Sequence, residues 1–139
     1  MLSVIKKYLI TVGMSGLLFG CGQPSTRIAY HLPLSQYNAE ALILEENYGA
    51  TTSFVYKLYI CDEERVGMSK CGKELLVVDK LHLSEIDVRL GGETLIVSLP
   101  DIARVHHFSN FWYSKGNPLQ HPVPIELEFR TANTLNVRE

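Results

Sequence analysis

The sequence predicts a small all-β protein: an antiparallel sheet of about six strands, strongly curved or folded into a sandwich, with room for one short helix. Three observations carry that expectation. Apolar and polar residues alternate with period two along several short stretches, the repeat of a strand with one face in a core. A Gly-Gly pair sits between two such stretches where a tight hairpin needs it. The chain is 139 residues long, which leaves room for one domain and not two.

The elements follow in order. Residues 40–47 (EALILEEN) suit either a short helix or a first strand. From 52 to 60, Thr52, Phe54, Tyr56, Leu58 and Ile60 fall on one face, with Ser53, Val55, Lys57 and Tyr59 on the other. Residues 75–79 are a short apolar run. Ile86, Val88 and Leu90 then alternate with Asp87 and Arg89, and Leu95, Val97 and Leu99 with Thr94, Ile96 and Ser98. A last strand sets Val123, Ile125, Leu127 and Phe129 against Pro124, Glu126, Glu128 and Arg130. Gly91-Gly92 reads as the loop of a type I′ hairpin, whose two central residues need positive φ. That loop pairs Leu90 with Glu93, Val88 with Leu95 and Ile86 with Val97. Both apolar sets then share one face, so turn chemistry and hydrophobic pattern agree.

The N-terminus carries an address. Lys6 and Lys7 form a short positive region, followed by the apolar residues 8–19, interrupted by Thr11, Gly13, Ser15 and Gly16. A run of this length suits a signal peptide; a membrane-spanning helix needs about 20 apolar residues. Gly20 supplies the small residue beside a cleavage point, and Cys21 follows it. Removing residues 1–20 leaves 119 residues; because Lys6 and Lys7 leave with them, the formal charge deepens from −2 to −4. A small acidic domain has no electrostatic reason to bind nucleic acid and is not a polybasic membrane binder. It is also too short for a dinucleotide-binding unit plus a substrate domain, or for a barrel enzyme.

Leu18-Phe19-Gly20-Cys21 resembles the lipobox of bacterial lipoproteins, with Phe19 departing from the small or hydroxylated residue more usual at its place. The resemblance implies that the Cys21 thiol is diacylglycerated, that the chain is cut before it, and that its new amino group is acylated. In enterobacterial lipoproteins an aspartate after the cysteine favours inner-membrane retention. Gly22 stands there instead, so an outer-membrane anchor facing the periplasm is expected. The organisation read from this is a signal peptide over 1–20, a lipidated cysteine with a flexible tether over 21–38, a β domain over 39–131 and a polar tail over 132–139. Pro24, Pro33 and the hydroxyl residues around them mark the tether.

Assigning Cys21 to the lipid leaves Cys61 and Cys71, which bracket nine residues, a polar stretch containing Gly67 between two apolar runs. An oxidising compartment predicts a disulfide between them, stabilising by roughly 3 kcal/mol in the chain-entropy account.

Catalytic motifs fail on their chemistry. Residues 67–73 (GMSKCGK) match the first seven positions of a phosphate-binding loop, yet Glu74 replaces the magnesium-holding hydroxyl and a strand is expected to follow, not a helix. No nucleotide is expected. His106 and His107 are neighbours, and on a strand they point to opposite faces, so they do not grip one metal ion together; one of them with His82 and a carboxylate is the alternative to surface or hydrogen-bonded histidines, and His121 lies elsewhere. Glu126 and Glu128 share a face that solvation explains. No nucleophile elbow or metalloprotease motif is present. The expectation is no enzyme, no cofactor and no metal.

Residues 108–113 (FSNFWY) are different. Phe108 and Trp112 share one face of a strand, Phe111 and Tyr113 the other. Either both faces are buried between sheet and loop, or one is exposed as a partner-binding anchor. Phe111, Trp112 and Tyr113 are the candidates, since Trp and Tyr are enriched in binding hot spots. Residues 49–56 (GATTSFVY) and 107–112 (HFSNFW) together resemble paired signatures of a family of small bacterial proteins, exported or lipid-anchored, with no assigned activity. That similarity covers about half of the chain and implies an envelope location and a compact β domain, with no catalytic residues.

The function expected is that of a lipid-anchored periplasmic binding protein with a protein partner, most concretely an immunity or inhibitor protein against an envelope-targeting toxin. The alternative is a structural or assembly accessory of the envelope. A small lipid or ligand binder is a third, and it needs an internal cavity.

Overall fold

The structure, a computed structural model, describes residues 24–62, 71–114 and 121–131. The expected signal peptide, Cys21 with Gly22 and Gln23, residues 67–70 of the loop-like motif and the tail 132–139 lie outside the described residues.

Two sheets pack face to face around one core. The strands are β1 (Ser25–Leu34), β2 (Ala39–Asn47), β3 (Val55–Asp62), β4 (Leu76–Asp79), β5 (Asp87–Gly91), β6 (Thr94–Pro100), β7 (Arg104–Phe108), β8 (Phe111–Trp112) and β9 (Val123–Arg130). The first sheet, in the order β1-β2-β3-β4-β7, is antiparallel throughout. The second, β5-β6-β9-β8, is mixed, because β6 and β9 run parallel. The all-β expectation holds, in its sandwich form. Among the described residues the only helical pieces are the single 3-10 turns Ser35–Tyr37 and Leu83–Glu85. Residues 40–47 belong to strand β2.

Among the described residues the nine strands exceed the expected six by β1, β7 and β8. The largest correction is β1. Residues 25–34 fall in the segment expected to be a flexible tether, yet they pair along the whole of β2, from Ser25 against Asn47 to Leu34 against Ala39. Pro33 is tolerated because β1 is an edge strand, where a missing N–H on the outer side breaks no ladder bond. The sheet therefore includes residues 25–34, ahead of the expected domain start at residue 39.

The hairpin is also adjusted. Gly91 pairs with Thr94, Leu90 with Leu95 and Val88 with Val97, so the loop is Gly92-Glu93. Gly92 has φ +64° while Glu93 stays outside the positive-φ region. That is the pattern of a type II′ turn, with glycine at its first central position. Gly91 instead lies in the ladder, where a Cβ would stand 2.7 Å from Cδ1 of Ile96. Each β5 residue faces a partner two positions beyond the one expected. A shift of two keeps parity, so the apolar sets still share the inner face.

That face supplies the core. Leu95, Val97 and Leu99 of β6 are fully buried against Leu58, Ile60 and Val78 of the first sheet. Each such side chain stabilises by about 1.5–3 kcal/mol relative to exposure. β2 is buried on both faces: Ala41 and Ile43 point into the core, while Leu42 packs outward with Cys61, Cys71 and Tyr59. Cys61 and Cys71 form the expected disulfide, with Cα atoms 4.1 Å apart. The turn after β1 closes one flank: the Gln36 amide donates to Gly92 O at 3.1 Å and the Tyr37 hydroxyl to Glu93 O at 2.7 Å.

The registers define two ends. At the first, Thr26, Glu46, Val55, Asp79 and Arg104 lie in one row across the first sheet. The links 80–86 and 101–103 bring the start of β5 and the end of β6 to the same end, where Asp101 N–H donates to Arg130 O at 3.1 Å. At the second end stand Leu34, the disulfide, the Gly92-Glu93 turn and β8.

Candidate functional site

β8 forms one edge of the second sheet. It is short, pairing Phe111 with Pro124 and Trp112 with Val123 of β9. The turn that delivers it is pinned on both sides: Ser109 N–H donates to Leu75 O at 2.7 Å, and Ile125 N–H to Asn110 O at 2.8 Å. Strand alternation then sorts the aromatics. Phe108 and Trp112 pack against the core, while Phe111 and Tyr113 turn outward, 49% and 57% exposed. Their rings stack at a centroid distance of 6.0 Å and an interplanar angle of 8°. An offset pair of this kind gains about 0.5–1.5 kcal/mol beyond its buried area, so the rings act as one plate. The pairing of faces is the one expected. Trp112, expected among the anchors, belongs to the packed face.

Beside the plate, the outward residues of β9 are Pro124, Glu126 and Glu128, and the parallel register sets Glu126 beside Ile96 and Glu128 beside Ser98. Arg89 of β5 completes a polar network. Its guanidinium donates to Glu128 Oε2 at 2.9 Å, to Ser98 Oγ at 3.0 Å and to Asp87 Oδ2 at 3.1 Å, and the Ser98 hydroxyl donates to the same Glu128 oxygen at 2.9 Å. The bonds from Arg89 and then Ser98 hold the Glu128 carboxyl below its usual range, and the bond to Glu128 raises Arg89 in turn. The outer face of the second sheet thus carries a locked ion-pair network at its centre and an aromatic plate at its edge. Sequence reasoning missed the network. Its members are outward positions on three strands, and only the parallel register of β6 with β9 brings Glu128 to Arg89.

The remaining candidates fall apart in space. His106 occupies a bulge between the pairs Val77–His107 and Val78–Val105, and its Nε2 lies 3.2 Å from Asp79 Oδ2. His82 precedes the turn Leu83–Glu85, where its backbone N–H donates to Glu85 Oε2 at 2.6 Å. Among the described residues no three His, Cys, Asp or Glu side chains stand close enough to share a metal ion. In the loop-like motif, Cys71 is cross-linked to Cys61 and strand β4 follows, not a helix. Between the sheets, an apolar space lined by Ile43, Tyr56, Leu58, Val88 and others amounts to about 10 Å³. That is about the room one water needs, far below a ligand-sized cavity. The chain matches no protein-family model, no curated protein and no solved structure.

Proposed function

We propose that this chain is a lipoprotein of the bacterial cell envelope, anchored through Cys21 to the outer membrane and facing the periplasm, that binds another protein through the Phe111–Tyr113 plate. Its most concrete form is an immunity or inhibitor protein against an envelope-attacking toxin. The observation that carries the reading is the stacked, exposed aromatic pair, held on a rigid sheet edge and flanked by Pro124 and Glu126. Two large exposed rings have no role in this core, and preorganised aromatics are favoured contact residues because they lose little entropy on binding. The acidic balance of the mature chain steers it toward a basic partner. The reading assigns no catalysis, cofactor or nucleotide.

Deleting the gene is expected to be harmless in the absence of a cognate toxin gene and lethal or growth-inhibiting in its presence. Loss of envelope integrity without any toxin would replace this reading with a structural or assembly role. Acyl labelling of wild-type protein and its absence in Cys21→Ser tests the anchor separately.

A further inference from the structure

We infer that the first end of the sandwich is a membrane-contact face, which seats the domain on the bilayer with the Phe111–Tyr113 plate pointing away. This rests on the proposed lipid at Cys21.

Of the eight large apolar side chains exposed among the described residues, Phe111 and Tyr113 form the plate, Ile28 and Tyr30 lie along the edge strand β1, and the other four gather at one end. Tyr48 and Phe54, on the link between β2 and β3, are 50% and 41% exposed; Ile102, on the link between β6 and β7, is 66% exposed; Phe129, near the end of β9, is 54% exposed. All four lie at the end defined by the row Thr26, Glu46, Val55, Asp79 and Arg104. Ser25, where the described chain enters its first strand, belongs to the same end. Only Gly22, Gln23 and Pro24 separate Ser25 from Cys21. Four residue steps span at most about 14 Å fully extended. A lipid on Cys21 therefore holds this end, and no other, at the headgroup layer.

The chemistry of the end suits that layer. Tyrosine favours the boundary between headgroups and acyl chains, where its apolar ring and polar hydroxyl are both accommodated, and phenylalanine and isoleucine supply the apolar surface that a face resting on a bilayer buries there. The acids nearby are engaged within the fold: Glu46 by Lys57 and Tyr48, Asp79 by His106, Glu85 by the His82 backbone and Asp87 by Arg89. Lys80 and Arg104 are exposed at the same end, with Asp101 the remaining acid. The acyl chains supply the affinity, and the contact face supplies the orientation. Strand β2, nine residues long, sets the plate roughly 30 Å from the bilayer.

The test uses full-length lipidated protein in which Trp112→Phe removes the native emission. Single tryptophans are then introduced as Phe54→Trp, Ile102→Trp or Tyr113→Trp. Each protein is reconstituted in vesicles of phosphatidylethanolamine and phosphatidylglycerol, with and without brominated phosphatidylcholine. The expected result is a blue shift and loss of most emission to brominated lipid for Phe54→Trp and Ile102→Trp, with Tyr113→Trp unchanged. Protein that floats with the vesicles while all three probes stay unquenched overturns the contact face and leaves the anchor standing. Quenching of Tyr113→Trp alone overturns the orientation. Shielding of Phe54→Trp from acrylamide without vesicles, growing with protein concentration, assigns the face to a second copy and also overturns it. Protein that neither floats nor carries acyl label overturns the anchor, and the inference with it.

Discussion

At the scale of single residues, the segment Phe111-Trp112-Tyr113 divides its labour by strand parity. The outward rings make the plate, and the inward ring packs against the core. Phe111→Ala with Tyr113→Ala is therefore expected to lower the unfolding free energy by no more than about 1.5 kcal/mol, the worth of the stack, while weakening partner binding at least about tenfold. Trp112→Ala is expected to do the reverse in rank, costing roughly 2–3 kcal/mol of stability, below the range of about 3–5 for a fully buried ring. Equal losses of stability for the two variants would remove the distinction. Parity was legible in the sequence: it set Phe111 with Tyr113 and Phe108 with Trp112. Which pair faces the core was not, because alternation defines two faces without orienting them. That choice is made by the pairing of Trp112 with the fully buried Val123 on another strand, which no local pattern encodes.

At the scale of elements, strands with one wet face announced themselves, and strands at the margins did not. β3, β5, β6 and β9 alternate in sequence because each sets one apolar row against the core, although Cys61 of β3 and Ser98 of β6 are covered on the other face as well. β2 was ambiguous because both of its faces are covered, which erases the period. β1 is hidden because Pro24 and Pro33 resemble tether residues, while an edge position tolerates Pro33. The disulfide was legible from spacing and compartment, but not what it does beyond closing its loop. Cys61 and Cys71 are themselves buried against Leu42 on the outer side of β2, so the cross-link covers the first sheet's outer face. Cys61→Ser with Cys71→Ser is expected to lower stability by roughly 3 kcal/mol from chain entropy. Reduction by dithiothreitol followed by urea titration should give the same loss. A loss of much less than that would contradict the chain-entropy account of the cross-link.

At the scale of the whole molecule, ion pairs and buried phenols set the pH window. The bond from Arg27 at 2.6 Å lowers the pKa of Glu45 from its ordinary 4.5. Burial pushes Glu46 upward, but bonds from Tyr48 and Lys57 outweigh it and leave Glu46 lowered as well. A carboxylate lowered by folding stabilises the native state above its unfolded pKa, and that stability is lost as pH falls through the folded value. Burial raises Tyr56 and Tyr59 above 10.0, and the bond to Glu46 raises Lys57 above 10.5. Groups raised by folding stabilise below their unfolded pKa and lose that contribution as pH climbs through the folded one. The urea midpoint is thus expected to be flat from about pH 5 to pH 9, falling on both sides. A midpoint that climbs on acidification below pH 4 would contradict the role of the Glu45 and Glu46 pairs.

The insertion of β9 between β6 and β8 has a consequence for how the chain comes into being. Until Arg130 is available, the second sheet exists as a hairpin with an open edge and a two-residue strand with no partner. Leu95, Val97 and Leu99 then lack the neighbours that cover them laterally. The second sheet therefore cannot close before β9 is available, and the pairing of β6 with β9 is non-local, of the kind that folds slowly. A polypeptide delivered from its N-terminus stays threadable until its last strand arrives, and then shuts behind it.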